Sequence, residues 1–174
     1  PGHEFSRLCN WLHQPNNLPT TIKIGTPLLS HHHATTTLFQ AIISAATPTL
    51  APDEALIMIA HHSRHPQAAD TYHQAAAIAR ATSPHLFLGT HPNPANATAI
   101  AQTCHKLNYR HARLYPFTLT IGTTAQQILH PTAPNSWSTT LTQHHITATP
   151  HPIPLASHPT IIEYWLQQAT QLLT

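Results

Sequence analysis

Charged side chains are scarce in this chain of 174 residues. Lys and Arg together number seven and Asp and Glu five, so that charged residues make up 7% of the sequence, against a usual share of about 25%. The net charge of +2 comes from scattered cations, and a nucleic-acid partner would require a basic stripe that follows the phosphate backbone. We therefore expect no nucleic-acid partner.

Long apolar runs and cysteines are also scarce. The longest strongly apolar stretch, residues 55–60, is far shorter than the roughly 20 residues that a membrane-spanning helix needs. Cys9 and Cys104 are too few and too far apart for a disulfide framework or a zinc motif. We expect no membrane segment and a cytoplasmic protein, or a periplasmic one if a signal peptide has been removed upstream of Pro1.

Histidine and proline are over-represented instead, with 18 His and 17 Pro, and Val does not occur. Hydrophobic residues still make up 41% of the chain, and they recur in periodic runs. That combination favours a folded domain over disorder. Since the chain begins with Pro1 inside a helical pattern, we expect it to be a fragment that lacks an upstream part.

The hydrophobic pattern alternates between helical and extended periods. Segments of 10 to 15 residues with helical spacing separate short apolar runs, which is typical of βαβ units and a parallel sheet. The predicted fold class is therefore α/β, a doubly wound parallel sheet. The predicted strands are residues 21–24, 55–60, 86–89 and 112–121, and the predicted helices are residues 5–12, 38–46, 67–81, 95–106, 137–144 and 159–173.

Histidines follow two of the predicted strands directly. His61, His62 and His65 come after the 55–60 strand, and His91 follows the 86–89 strand. Ligands of open α/β sheets bind beyond the carboxyl ends of the strands, so these imidazoles are candidate ligands. In a chain where about one residue in ten is His, solvated loop histidines are an equally good interpretation, and a better one for residues 31–33.

A series of motifs then resembles the anaerobic sirohydrochlorin cobaltochelatases of the chelatase superfamily, in the same order and with similar spacing. The most specific match is IMIAHHSRHP followed by Ala68, Ala69 and Tyr72, which resembles a strand followed by G-H-G-x-x-H-P and A-A-Y. The other matching segments are PGHEF at the start, IGTPLL at 24–29, LGT at 88–90, YPFTL at 115–119 and PNSW at 134–137.

The resemblance implies a two-lobed chelatase fold in which the first lobe is incomplete. Residues 1–50 would end the first lobe, residues 51–155 would form the second lobe, and residues 156–174 would form a helix packed on the lobes. The implied activity is that of a metal chelatase, a lyase that inserts Co²⁺ into sirohydrochlorin during cobalamin biosynthesis. Sirohydrochlorin and cobalt are the implied partners, a homo-oligomer is allowed, and no organic cofactor is implied.

The resemblance also implies roles for individual residues. The first metal-binding histidine of the family falls on His61, the predicted catalytic residue, and the second histidine of that motif falls on His65. The family's glutamate falls on His91 or Pro92, which makes His91 the second expected metal ligand, because imidazole also suits Co²⁺. The expected substrate-binding residues are Gly2, His3, His62, His65 and Thr124.

Thr124 stands where the family has its second catalytic histidine, and His62 replaces a family glycine. Since a hydroxyl neither ligates Co²⁺ well nor accepts a proton at neutral pH, activity would depend on His61 with His91 or His130. Two alternatives therefore remain open. One is a metal- or tetrapyrrole-binding derivative with impaired catalysis, and the other is an α/β domain whose histidines only solvate its surface.

Overall fold

The computed structural model describes residues 3–13, 22–130, 132–133 and 135–173. Four parallel strands in the order β2-β1-β3-β4 form one sheet. The strands are β1 (Glu54–His61), β2 (Leu86–His91), β3 (His111–Pro116) and β4 (Thr147–Pro150). The helices are α1 (His3–Leu12), α2 (His32–Ala46), α3 (Pro66–Thr82), α4 (Pro94–Lys106), α5 (Thr123–Leu129), α6 (Trp137–Gln143) and α7 (Pro159–Leu173).

Strand β1 lies at the centre of the sheet because its side chains are apolar on both faces. Six consecutive residues of β1, from Ala55 to Ala60, are at most 3% exposed, as expected for a parallel strand that helices cover on both sides. β1 pairs with β2 from Leu56 to His61 and with β3 from Glu54 to Ile59. The carboxyl ends of these three strands therefore lie side by side, as predicted.

Two hydrophobic cores cover the two faces of the sheet. On one face Ile57 and Ile59 pack with Ala101 of α4 and Trp137 of α6. On the other face the core consists mainly of residues from β1, β2, α2, α3 and α7, including Leu56, Met58, Leu88, Phe39, Ala79 and Ile161. Helices on both faces of an all-parallel sheet confirm the α/β, doubly wound prediction.

Prolines in the first turn and side-chain caps define the first residues of three helices that flank the sheet. Pro66 and Pro94 occupy the first turns of α3 and α4, where a missing N–H costs nothing. The Asn93 side chain accepts a hydrogen bond from the backbone N–H of Asn96, and the Ser136 side chain accepts one from that of Thr139. These caps fix where each helix leaves the edge of the sheet.

Residues 1–50 do not all pack in the same way. Helix α2 buries Leu38, Phe39 and Ile42 in the core that it shares with β1 and α3. On α1, by contrast, Leu8 is 46% and Trp11 58% exposed. The boundary at residue 50 stays a prediction, and any division into lobes must allow for the packing of α2 against the 51–155 segment.

Two predicted strands differ from the structure, and two elements were missed. Residues 22–27 form no regular structure, so the 21–24 strand is absent from its described part, Ile22 to Ile24; Thr21 lies outside the described residues. The predicted 112–121 strand ends at Pro116, because the chain turns away at Phe117 and reaches α5 at Thr123. Helix α5 and strand β4 were not predicted at all.

In the part of the chain that the structure describes, none of the helices combines the length and the apolar character that a membrane-spanning segment requires.

Candidate functional site

His61 and His91 end the two neighbouring strands β1 and β2. They are paired in register, and the backbone N–H of His62 donates a 2.7 Å hydrogen bond to the carbonyl of His91. Residues paired in register on parallel strands point to the same face of a sheet. The alternation along β1 puts His61 on the face of Ile57 and Ile59. The two predicted metal ligands therefore share one edge and one face.

The electrostatics of His91 reflect the same juxtaposition. Burial lowers the pKa of His91 below its ordinary value, and the charge of the neighbouring His61 lowers it further. His91 is half-buried whereas His61 is exposed. Both causes favour the neutral imidazole of His91, which is the form that binds a transition metal. Pro92, the alternative position for this ligand, carries no donor group in its side chain.

Gly89, which has no side chain, allows Trp137 to pack closely against the strand that carries His91. Gly89 lies two residues before His91 on the same face of β2, and the indole of Trp137 packs directly against its Cα. A Cβ at this position would overlap two carbon atoms of the indole ring and lie 3.1 Å from Oδ1 of Asn96. Gly89 therefore allows α6 and the start of α4 to approach the strand that carries His91.

The other predicted substrate-binding residues are spread over more than one element. His62 follows β1 directly and His65 precedes the first residue of α3, with both half-buried. His3 begins α1, but its side chain is outside the described part of the chain, as is the whole of Gly2. His62 and His65 therefore lie in the segment that connects the end of β1 to α3. The substrate-binding roles of Gly2, His3, His62 and His65 stay predictions.

Thr124 lies in the first turn of α5, beyond the carboxyl end of β3. The backbone N–H of Phe117 still donates to the carbonyl of Ile59 at 2.7 Å, so the chain leaves β3 at the edge that carries His61. His130 follows the same helix, and its Nδ1 accepts hydrogen bonds from the N–H groups of Thr132 and Ala133. That pattern uses Nδ1 within a turn and leaves Nε2 protonated in the neutral ring.

Two cavities open at this edge, and the sequence interpretation missed both. One, of about 270 Å³, is almost entirely apolar and is lined by residues that include Leu28, Leu29, Tyr72, Phe117 and Leu119. The other, of about 300 Å³, is lined by His62, Ser63, Ala69, Tyr72, His73, Ala76, Leu88, Thr90, Asn93, Ala95 and Asn96. Asn93-Pro94 was recognisable as a helix start, but no sequence signal placed it beside His62.

The described residues contain no group of three or more His, Cys, Asp or Glu side chains placed to hold a metal ion. A pair of imidazoles leaves most coordination positions of a divalent cation to water or to another ligand. Closed structural sites, by contrast, usually take four protein ligands. The metal-binding role of His61 and His91 stays a prediction.

The fold and the site define a doubly wound α/β domain with an imidazole pair at the carboxyl edge of its sheet. The model of the cobalt chelatase (CbiK) family matches residues 1–173, and the chain belongs to this family. It is 25% identical over 151 residues to a protein named sirohydrochlorin cobaltochelatase CbiKC from Nitratidesulfovibrio vulgaris, which covers 87% of this chain and 53% of that protein. The chain thus spans about half the length of the curated relative it matches.

Proposed function

We propose that the chain acts in the insertion of Co²⁺ into sirohydrochlorin, with His61 as metal ligand and proton acceptor and His91 as the second imidazole. The observation that carries the proposal is the in-register pairing of these residues at the carboxyl edge, in a chain of the cobalt chelatase family. The relative from Nitratidesulfovibrio vulgaris is named for the same reaction.

The chemistry requires a group that ligates a divalent ion and a group that takes protons from the pyrrole nitrogens. Imidazole performs both tasks, because its unperturbed pKa of about 6.5 lies near neutrality and its neutral nitrogen ligates Co²⁺. The lowered pKa of His91 keeps that ring neutral and ready to bind metal. His61, which is exposed, is the group that an arriving ion or macrocycle meets first.

The apolar cavity beside this edge supports contact with one side of a tetrapyrrole, the second substrate, since its volume of about 270 Å³ does not enclose a whole macrocycle. Leu28, Phe117 and Leu119 offer an apolar wall to the ring of the macrocycle, while the metal approaches from the His61 side. Burial of ring surface against such a wall contributes roughly 25 cal/mol per Å² of apolar area. We place this chemistry in the cytoplasm, within a two-lobed architecture whose first lobe includes residues 1–50.

Thr124 supports a second candidate, a metal- or tetrapyrrole-binding protein without full catalytic activity. Its hydroxyl stands where the resemblance implies a histidine, and it lies in the first turn of α5 on the same side of the sheet. Threonine accepts no proton at neutral pH. Such a protein would still bind the metal or the tetrapyrrole but would not catalyse insertion at a full rate.

Calorimetric titration with Co²⁺ tests the ligand assignment. We expect His61→Ala to weaken Co²⁺ binding about tenfold or more, which corresponds to about 1.4 kcal/mol, and His91→Ala to weaken it less. Thr124→Val should change it little. His111→Ala is the matched control, because His111 is an exposed imidazole at the opposite edge of the same sheet. Undiminished affinity in His61→Ala would refute the assignment and favour histidines that only solvate the surface.

A further inference from the structure

We propose that the 300 Å³ cavity beside His62, the donor cavity, binds a carboxylate side arm of the tetrapyrrole. This inference rests on the proposed function, since sirohydrochlorin carries acetate and propionate arms around its ring. The cavity lies between α3, β2 and the start of α4. The resemblance implies substrate binding for His62 in its lining and assigns no role to Ser63, His73, Asn93 or Asn96. Its volume is at the lower end of the roughly 300–1,000 Å³ of ligand pockets, which suits an arm rather than a whole macrocycle.

Three side-chain oxygen atoms that line the donor cavity already accept hydrogen bonds from within the protein. Ser63 Oγ accepts from the backbone N–H of His65 at 3.2 Å. Asn96 Oδ1 accepts from the N–H of Thr90 at 2.8 Å, and Thr90 Oγ1 accepts from Asn93 Nδ2 at 3.3 Å. Each hydroxyl retains its own hydrogen, and Asn96 retains its amide N–H groups. Ser63, Thr90 and Asn96 can therefore each still donate a hydrogen bond to a ligand in this cavity.

Ionisable side chains of the lining add further donors. His62 and His73 each carry at least one ring N–H, and burial raises the pKa of Tyr72, which keeps its phenol protonated. None of the described residues that line this cavity is acidic. A site rich in donors and without a carboxylate of its own favours an anion, and hydrogen bonds to a charged acceptor are the strong ones.

The position of the donor cavity fits an arm of the same substrate whose centre meets the imidazole pair. His62 follows His61 directly, and its backbone N–H bonds to the carbonyl of His91. His61 ends β1 on the face of Ile57 and Ile59, whereas His62 lines a cavity together with Leu88, which belongs to the core on the other face. An arm held on the side of His62 would therefore anchor the rim of the ring while the ring nitrogens stay near His61.

His73 offers a test that spares the fold, because it is an exposed residue of α3 that also lines the cavity. Metal-free sirohydrochlorin is titrated into the wild type, His73→Lys and His73→Glu, and binding is followed by the absorbance of the macrocycle. We expect His73→Lys to tighten binding and His73→Glu to weaken it, each by about two- to fivefold, as for an added charge at a partly exposed site.

The matched controls separate this site from the overall field of the protein. His105→Lys and His105→Glu make the same charge changes at an exposed position near the end of α4, and they should leave binding unchanged. Esterified sirohydrochlorin, which has no carboxylates, should bind equally to all His73 variants. Competition by millimolar acetate without any charge effect on sirohydrochlorin would assign the cavity to a free carboxylate and overturn the proposal.

Equal effects at His73 and His105, or no effect at His73, would also overturn it. The same preparations are assayed for cobalt insertion, so that the two proposals can fail separately. A charge effect confined to His73 without any insertion by the wild type keeps the carboxylate site and removes the proposed function. If the wild type inserts cobalt but sirohydrochlorin binding does not depend on the charge at residue 73, the proposed function stands and the carboxylate site is overturned.

Discussion

At the scale of single residues, the pKa of His91 depends directly on the neighbouring side chain of His61. Burial and the charge of His61 both lower its pKa. We expect NMR titration to give His91 a pKa below the ordinary value of about 6.5, and the value should rise part of the way back in His61→Ala, because the charge is removed while most of the burial remains. A pKa that does not respond to His61→Ala would place the rings apart.

The lowered pKa of His91 also makes the free energy of unfolding depend on pH. Because the pKa of His91 is lower in the folded than in the unfolded chain, the unfolded chain binds more protons between the two values. The contribution of His91 to the free energy of unfolding is therefore fully present above about pH 6.5 and is lost as the pH falls through the lowered value. His91→Gln should flatten this part of the stability profile, which urea unfolding at several pH values measures.

Gly89 is the residue whose substitution should disturb the site without removing a functional group. A Cβ would overlap the Trp137 ring, and the ring is 1% exposed and held in the core. We expect Gly89→Ala to lower the free energy of unfolding by about 1–3 kcal/mol, as for other overpacked cores, and to weaken Co²⁺ binding through His91. Unfolding in urea and Co²⁺ titration measure the two effects.

An unchanged stability in Gly89→Ala would show that α6 can move away from β2 at little cost. The double variant Gly89→Ala with Trp137→Phe serves as the control, because the smaller ring removes part of the overlap. A partial return of Co²⁺ affinity in the double variant would tie the loss to the position of β2.

At the scale of elements, strand β1 holds the sheet together, since it pairs with both β2 and β3. Ile57 is 0% exposed on this strand, whereas Leu166 on α7 is 63% exposed. We expect Ile57→Ala to cost about 2–5 kcal/mol of unfolding free energy and Leu166→Ala less than about 0.5 kcal/mol, the usual limit for surface changes. Urea unfolding compares the two, and equal losses would contradict the assigned burial.

The elements that could be predicted are those with a strong periodic signal. β1 is a continuous apolar run, and α3 has 17 residues that begin with Pro66 and contain no later Gly or Pro, so both were placed within a few residues. β4 has only four residues, TATP, of which none is fully buried, and it is defined by its pairing with β3 rather than by an apolar pattern. The 21–24 segment shows the reverse case, an apolar pattern for which Ile22 to Ile24 have no partner strand in the described structure.

The candidate site divides along similar lines. His61 and His91 could be located from sequence, because each comes at the end of a recognisable strand. The donor cavity could not, since it joins His73 from the middle of α3 to Thr90 and Asn96, and their proximity depends on how α3 packs over β2. That packing is a tertiary property which no local pattern encodes.

At the scale of the whole molecule, the proposed function treats the metal ion as a substrate. An ion that must pass into a macrocycle has to leave its protein ligands, and two imidazoles release it more readily than a closed set of four would. The described residues contain no larger set. Under the proposed function, an ion held by His61 and His91 alone would remain free to pass into the macrocycle.

The most direct test of this account is the initial rate of cobalt insertion into sirohydrochlorin, followed by the absorbance change of the macrocycle. We expect a rate above the spontaneous one for the wild type, a spontaneous rate for His61→Ala, and a faster rate than the wild type for Thr124→His, which supplies a second proton acceptor. His111→Ala should match the wild type. A rate in His61→Ala equal to that of the wild type would show that His61 does not receive the metal.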